Sequence, residues 1–193
     1  MRLYCATTNP GKLREFKAAL AGVANVEVLQ PIAVPEETGD TFEANAIEKA
    51  LYYSKHCDGY LFVDDSGLEV DALGGAPGVY SARFAGPDAT DEANNRLVLD
   101  RMRGVTNRTA RFVCVIALAK IGKLVQTFRG VVEGQLGQEP RGPNGFGYDP
   151  LFFYPPFGCT FGEVPLERKM QVSHRAQALR ALRDALPQLP EWG

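Results

Sequence analysis

Two adjacent aspartates, Asp64 and Asp65, follow the apolar run Tyr60-Leu61-Phe62-Val63 and precede Ser66-Gly67. The run reads as a buried strand that opens into a turn. Carboxylates side by side repel each other unless a cation or a proton lies between them. Such a pair suits a hard metal ion and a general base. Read alone, Asp-Asp-Ser-Gly is equally an acidic turn in which Asp65 caps the next segment of chain. Glu37, in Glu36-Glu37-Thr38-Gly39, is a third carboxylate that could complete an oxygen cage with Asp64 and Asp65. The chain has 2 histidines and 4 cysteines without a Cys-x-x-Cys pair. A metal site here must therefore use oxygen ligands, which favours Mg²⁺ or Mn²⁺ over zinc.

Other residues suit phosphate and a planar ring. Thr7-Thr8-Asn9-Pro10-Gly11-Lys12 joins a predicted strand to a predicted helix, with Asn9 as N-cap and Pro10 at the first helical position. The unpaired N–H groups of such a turn attract phosphate, and Lys12 adds a mobile positive charge. The spacing is not that of a P-loop. Asn45 and Lys49 stand four apart on one helix face, and Lys169 is a further cation. In Asn144-Gly145-Phe146-Gly147-Tyr148-Asp149-Pro150 the glycines flank an aromatic ring that can stack on a planar ligand. Asp149 can accept from a base N–H. Ser173-His174-Arg175 opens the last predicted helix with donors suited to base carbonyls. Each motif alone also reads as a capped helix or a packed loop.

The elements that must carry these residues mix helices and strands. Strands are predicted at 3–6, 26–29, 60–63, 110–119, 123–132 and 151–154, and helices from Pro10 to Leu20, 41–57, 90–102, 164–170 and 174–186. A hairpin is expected at Gly122. The segment 67–88 reads as long and irregular, which in compact domains usually signals function. The class is α/β with a mixed sheet. A chain of 193 residues at 45% hydrophobic content is expected to form one domain over 1–193. Its net charge of −2 gives no global field for nucleic acid. No apolar run approaches the roughly 20 residues of a membrane span, and the first residues lack a signal-peptide pattern, so a cytoplasmic protein is expected.

Six ordered blocks together resemble the inosine triphosphate pyrophosphatase (ITPase) family. They are Ala6-Thr7-Thr8-Asn9-x-Gly11-Lys12, Glu36-Glu37-Thr38-Gly39-x-Thr41-Phe42-x-x-Asn45-Ala46, Asp64-Asp65-Ser66-Gly67-Leu68-x-Val70-Asp71, Leu73 to Arg83, Gly145 to Pro150, and Ser173-His174-Arg175. The resemblance implies an elongated mixed sheet with flanking helices and two lobes around a central substrate cleft. It implies a homodimer and Mg²⁺-dependent hydrolysis, with Mn²⁺ as a substitute, of ITP, dITP and XTP to the monophosphate and pyrophosphate. Asp65 is then the general base, and Glu37, Asp65 and Asp64 hold the metal. Thr7, Thr8, Asn9, Pro10, Gly11 and Lys12 hold the triphosphate, with Lys49 and Lys169 as further cations and Ser66 on the nucleotide. Phe146, with Gly147, stacks on the base, and Tyr148, Asp149, His174 and Arg175 line its edge. The nearest alternative is a Maf-like pyrophosphatase acting on modified pyrimidine nucleotides. A non-catalytic nucleotide sensor is another. A haloacid-dehalogenase-type phosphatase needs Asp-x-Asp after its first strand, whereas these aspartates are adjacent and follow the third.

Overall fold

The computed structural model describes all residues of the chain except 31, 34, 36, 191 and 193. Glu36, part of the second motif block, therefore lies outside the described residues. Strands run β1 (Arg2–Cys5), β2 (Asn25–Val28), β3 (Tyr60–Val70), β4 (Thr109–Lys120), β5 (Lys123–Leu136), β6 (Phe152–Tyr154) and β7 (Cys159–Thr160). Helices are α1 (Pro10–Leu20), α2 (Phe42–Tyr53), α3 (Asp91–Arg101), α4 (Leu166–Val172) and α5 (His174–Ala185). The strands form a sheet in the order β2-β1-β3-β4-β5-β6-β7. β1 pairs parallel with β2 and β3, whereas β6 pairs antiparallel with β5 and β7. The expected mixed α/β class is thus observed.

One domain over 1–193 was the expectation; the chain divides into two compact units, each discontinuous in sequence. The first comprises Met1–Asp65, Cys114–Gly130 and His174–Gly193, and the second Ser66–Val113 and Val131–Ser173. The first unit contains parallel β1, β2 and the leading half of β3, the end of β4 and the start of β5, together with α1, α2 and α5. Its core includes Leu3, Phe16, Leu20, Phe62, Leu179 and Leu182, all essentially inaccessible. Phe16 and Phe62 meet edge to face at 4.9 Å between centroids. The second unit packs Leu68, Val98, Met102, Phe112, Leu151, Phe152 and Phe161 into its own core.

Local sequence explains the element ends. The Asn9 side chain accepts from the N–H of Lys12, and Pro occupies the first helical position of α1. Thr41 and Thr90 cap α2 and α3 in the same way. The β4–β5 hairpin turns through Ile121 (φ 48°) and Gly122 (φ 71°), both left-handed. The largest departure from expectation is β3, which does not end at Val63. It continues through both aspartates to Val70, because Gly67 allows close contact rather than a turn: a Cβ there would lie 2.6 Å from the Gly78 carbonyl oxygen. The 67–88 segment is therefore the end of a strand followed by short 3₁₀ turns at 71–73 and 78–83.

Candidate active site

Placing Asp64 and Asp65 inside β3 changes their chemistry. Successive residues of a strand point to opposite faces, and the two carboxylates make their direct hydrogen bonds to different cations. Asp64 points toward α1 and α5. Its Oδ1 accepts from Lys12 Nζ at 2.9 Å, and its Oδ2 accepts from Arg175 Nε at 3.0 Å. Arg175 Nη1 in turn donates to Glu15 Oε2 at 2.6 Å. Lys12, Asp64, Arg175 and Glu15 thus alternate in sign and sum to zero. Asp64, Arg175 and Glu15 are buried. Burial alone would raise the Asp64 pKa, but Lys12 and Arg175 more than offset it and hold the carboxyl far below the usual range.

Lys49 Nζ lies on the other face, where it donates to Glu37 Oε1 at 2.7 Å and to Asp65 Oδ1 at 3.1 Å. Two carboxylates thus meet at the same ammonium. The second oxygen of Asp65, Oδ2, is buried and has no hydrogen-bond partner among the described residues. Burial raises the Asp65 pKa, Lys49 opposes it, and Glu37 adds to the rise, so the net direction is upward. Lys49 is lowered by burial but raised more by Asp65 and Glu37, so its proton is held firmly.

α2 organises this face. Thr38 donates its hydroxyl to Glu48, the Gly39 N–H donates to Asn45 Oδ1, and Lys49 takes Glu37. Three consecutive residues ahead of the helix are thereby tied to its second and third turns. The parallel pairing of β1 with β3, Cys5 opposite Phe62, puts the Thr7–Lys12 turn past the end of β1, beside the stretch of β3 that carries the aspartates. In open α/β sheets that edge is where ligands bind. Thr7 Oγ1 accepts from the Asn9 N–H, and Thr8 is exposed.

These arrangements fit a divalent cation at Glu37 and Asp65. The donors are hard carboxylates, and one buried oxygen has no hydrogen-bond partner among the described residues. Mg²⁺ commonly takes only one or two carboxylates, with phosphate oxygens completing its shell. Among the described residues no group of three or more His, Cys, Asp or Glu gathers as a metal site. Asp64, expected beside Glu37 and Asp65, faces the other way along the strand, and each of its oxygens contacts a cation, Lys12 or Arg175.

The second unit holds the aromatic loop. Gly145 (φ 75°) and Gly147 (φ 60°) flank Phe146, which is half-buried. Asp149 Oδ2 accepts from the Phe146 N–H at 3.0 Å and from Lys169 Nζ at 2.6 Å. Lys169 Nζ also lies 4.8 Å from the Phe146 ring centroid, a cation–π contact. The Tyr148 hydroxyl donates to the Ser81 carbonyl at 2.6 Å, and the ring is buried. A cavity of about 620 Å³ is lined by Asn95, Arg96 and Leu99 of α3 and by Pro143, Gly145 and Phe146; none of the three site carboxylates lines it.

Lys169 lies in the Asp149–Phe146 cluster. Arg175 and His174 are buried, and Arg175 donates to Glu15 and Asp64. Tyr148 packs inside with its hydroxyl satisfied. Ser66 follows Asp65 in β3 and is half-buried. Glu15 and Glu48 were missed. Arg175 carried a legible signal, because it falls in phase with the stripe of Ala178, Leu179 and Leu182. A buried arginine requires an acid, and Asp64 and Glu15 meet that requirement in the structure.

Residues 3–185 match the Ham1 family. A dITP/XTP pyrophosphatase of Exiguobacterium sp. is 52% identical over 94% of this chain and 95% of that protein. One from Thermus thermophilus is 48% identical over 96% of this chain and 91% of its own length. Among solved structures, the Ham1 protein of Staphylococcus aureus superposes with a TM-score of 0.87 at 40% identity, covering 97% of this chain and 99% of that one. A HAM1 protein from Coxiella burnetii gives 0.88 at 38% identity over 98% and 100%.

Proposed function

Because the chain belongs to the Ham1 family, we propose that it hydrolyses deaminated purine nucleoside triphosphates, dITP, XTP and ITP, to the monophosphate and pyrophosphate. Such an activity removes damaged nucleotides from the precursor pool. The observation that carries the catalytic reading is Asp65. It is a buried carboxylate with a raised pKa and one oxygen without a hydrogen-bond partner among the described residues.

In this reading Asp65 accepts the proton of the water that attacks the α-phosphorus. A raised pKa makes it a stronger base than a free aspartate. Glu37 and Asp65 would hold Mg²⁺, for which Mn²⁺ could substitute. A bound divalent ion supplies charge neutralisation at the phosphate oxygens. Lys49, whose ammonium satisfies both carboxylates, turns to phosphate once those oxygens are otherwise engaged. The start of α1, from Thr7 to Gly11, offers backbone and side-chain donors to the triphosphate, and Lys12 adds charge. Asp64 positions Lys12 and leaves proton transfer to its neighbour. Ser66 contacts the nucleotide.

Phe146 is proposed to stack on the purine, with Gly147 giving it room. Asp149 is the proposed acceptor for a base N–H. Hypoxanthine and xanthine carry an N–H at ring position 1, where adenine has a lone pair. An acceptor facing an acceptor costs roughly 1–3 kcal/mol, enough to disfavour ATP about ten- to hundred-fold. We propose a homodimer as the working assembly, and sedimentation at micromolar concentration tests it.

Pyrophosphate release from ITP, XTP, dITP, GTP, ATP and UTP, each with Mg²⁺ and with EDTA, tests the reading. Mg²⁺-dependent release, greatest for the deaminated purines, is the expected result. Inorganic phosphate as product would overturn the cleavage site. A preference for UTP and methylated pyrimidine nucleotides would favour the Maf-like alternative.

A further inference from the structure

α3 is an unusual helix for its position. It contacts the interior of the second unit, yet two of its buried residues are asparagines, Asn94 and Asn95. Buried amides need partners; Asn94 finds both of its partners in the preceding loop, and Asn95 pairs through its nitrogen, its Oδ1 having no partner among the described residues. Asn94 Oδ1 accepts from the Ala85 N–H at 2.8 Å, and its Nδ2 donates to the Ala82 carbonyl at 3.1 Å. Asn95 Nδ2 donates to two carbonyls, those of Asp91 and Gly147, each at 2.9 Å. Those two acceptors identify the nitrogen end of the amide. Asp91 Oδ2, one turn earlier on the same face, accepts from the Gly147 N–H at 2.7 Å.

The Gly147 N–H belongs to the peptide that follows Phe146. The peptide that precedes Phe146 is held by Asp149 Oδ2. The stacking ring therefore stands on a backbone flanked by two left-handed glycines, which alone would leave it many conformations. Its orientation is fixed from within the loop by Asp149 and from outside the loop by α3.

We propose that Asp91 and Asn95 are positioning residues for base recognition: they clamp Gly147 and thereby hold Phe146 in its stacking orientation. This rests on the reading of Phe146 as the base-stacking residue. Pre-organisation lowers the ordering cost of binding. Its loss appears in KM for the nucleotide and leaves the phosphate-binding and proton-transfer steps intact.

Steady-state kinetics on the full chain tests the clamp. Asp91→Ala and Asn95→Ala should each raise KM for ITP about tenfold, with kcat changing less than about threefold. Inhibition by inorganic tripolyphosphate, which carries no base, should be unchanged. Asp91→Asn keeps an acceptor oxygen and should restore KM to near the parent value. Phe146→Ala, run in parallel, separates stacking from clamping. An unchanged KM in Phe146→Ala overturns the stacking reading and the clamp with it. A raised KM in Phe146→Ala with unchanged KM in both α3 variants overturns the clamp alone. Weaker tripolyphosphate inhibition in the α3 variants would make them general structural residues and overturn it too. Hydrogen exchange on the unmodified chain is independent of variant folding: the Gly147 amide should be protected, and exchange at the rate of an open loop would refute the clamp.

Discussion

Exchanging Asp65 for asparagine removes a negative charge beside Glu37 and Lys49 while keeping the side chain's shape. The general-base role predicts that Asp65→Asn lowers turnover about 10²- to 10⁴-fold with little change in the unfolding midpoint, read by pyrophosphate release and circular dichroism. Retained turnover would remove Asp65 as the base. Glu15 predicts the opposite pattern. Glu15→Ala leaves Arg175 buried with one anion fewer, and breaking a buried pair typically costs about 3–5 kcal/mol. Urea unfolding should show a loss of that order; a loss under about 1 kcal/mol would mean that Arg175 is not fixed by Glu15. The aspartate pair and Glu37 were legible from sequence as carboxylates with a common purpose. Their division of labour was not, because it depends on β3 continuing past Val63, and Ser66-Gly67 carries a turn signature that long-range packing overrides.

At the scale of elements, sequence reading did well where the signal is local. The Asn9-Pro10 start of α1, the Thr41 cap of α2 and the turn at Gly122 are written in adjacent residues. It did less well where partners are remote. The Glu15–Arg175 pair spans 160 positions in sequence, and no local pattern discloses it. Asn95 of α3 likewise finds a partner 52 positions away, at Gly147. The β4–β5 hairpin offers a test of local strain. Ile121 is β-branched, 62% exposed and held at φ 48°. A left-handed conformation costs a residue of this type about 1–2 kcal/mol, and Asn-Gly is the favoured pair for such a turn. Ile121→Asn should therefore stabilise the chain by about 1 kcal/mol in chemical denaturation. A destabilisation would show that the isoleucine side chain contributes more than its backbone strain costs.

Across the whole molecule, the family match spans segments of both compact units, so neither unit corresponds to a separable stretch of sequence. The four thiols test the interior directly. Cys5 and Cys114 are buried, while Cys57 and Cys159 are half-buried. Burial, reinforced by the charge of Asp64, pushes the Cys5 thiol up to about 12 and also raises Cys114. At pH 8 an aromatic disulfide reagent should therefore label Cys57 and Cys159 in the native protein and spare Cys5 and Cys114 until the chain unfolds. Rapid labelling of all four would mean that the first unit opens on the timescale of the assay. Among the described residues no helix is long and apolar enough to cross a membrane.

The path of β3 makes parity a functional property. Asp64 and Asp65 are the same amino acid, told apart only by whether their position along the strand is even or odd. One residue inserted between Tyr60 and Val63 would turn a valine toward Lys12 and Arg175 and move Asp64 to the place beside Lys49. Composition and the acidic dipeptide would survive, but the neutral ion chain would be left with two cations facing one anion. This stretch should therefore accept many substitutions more readily than a change of length by one.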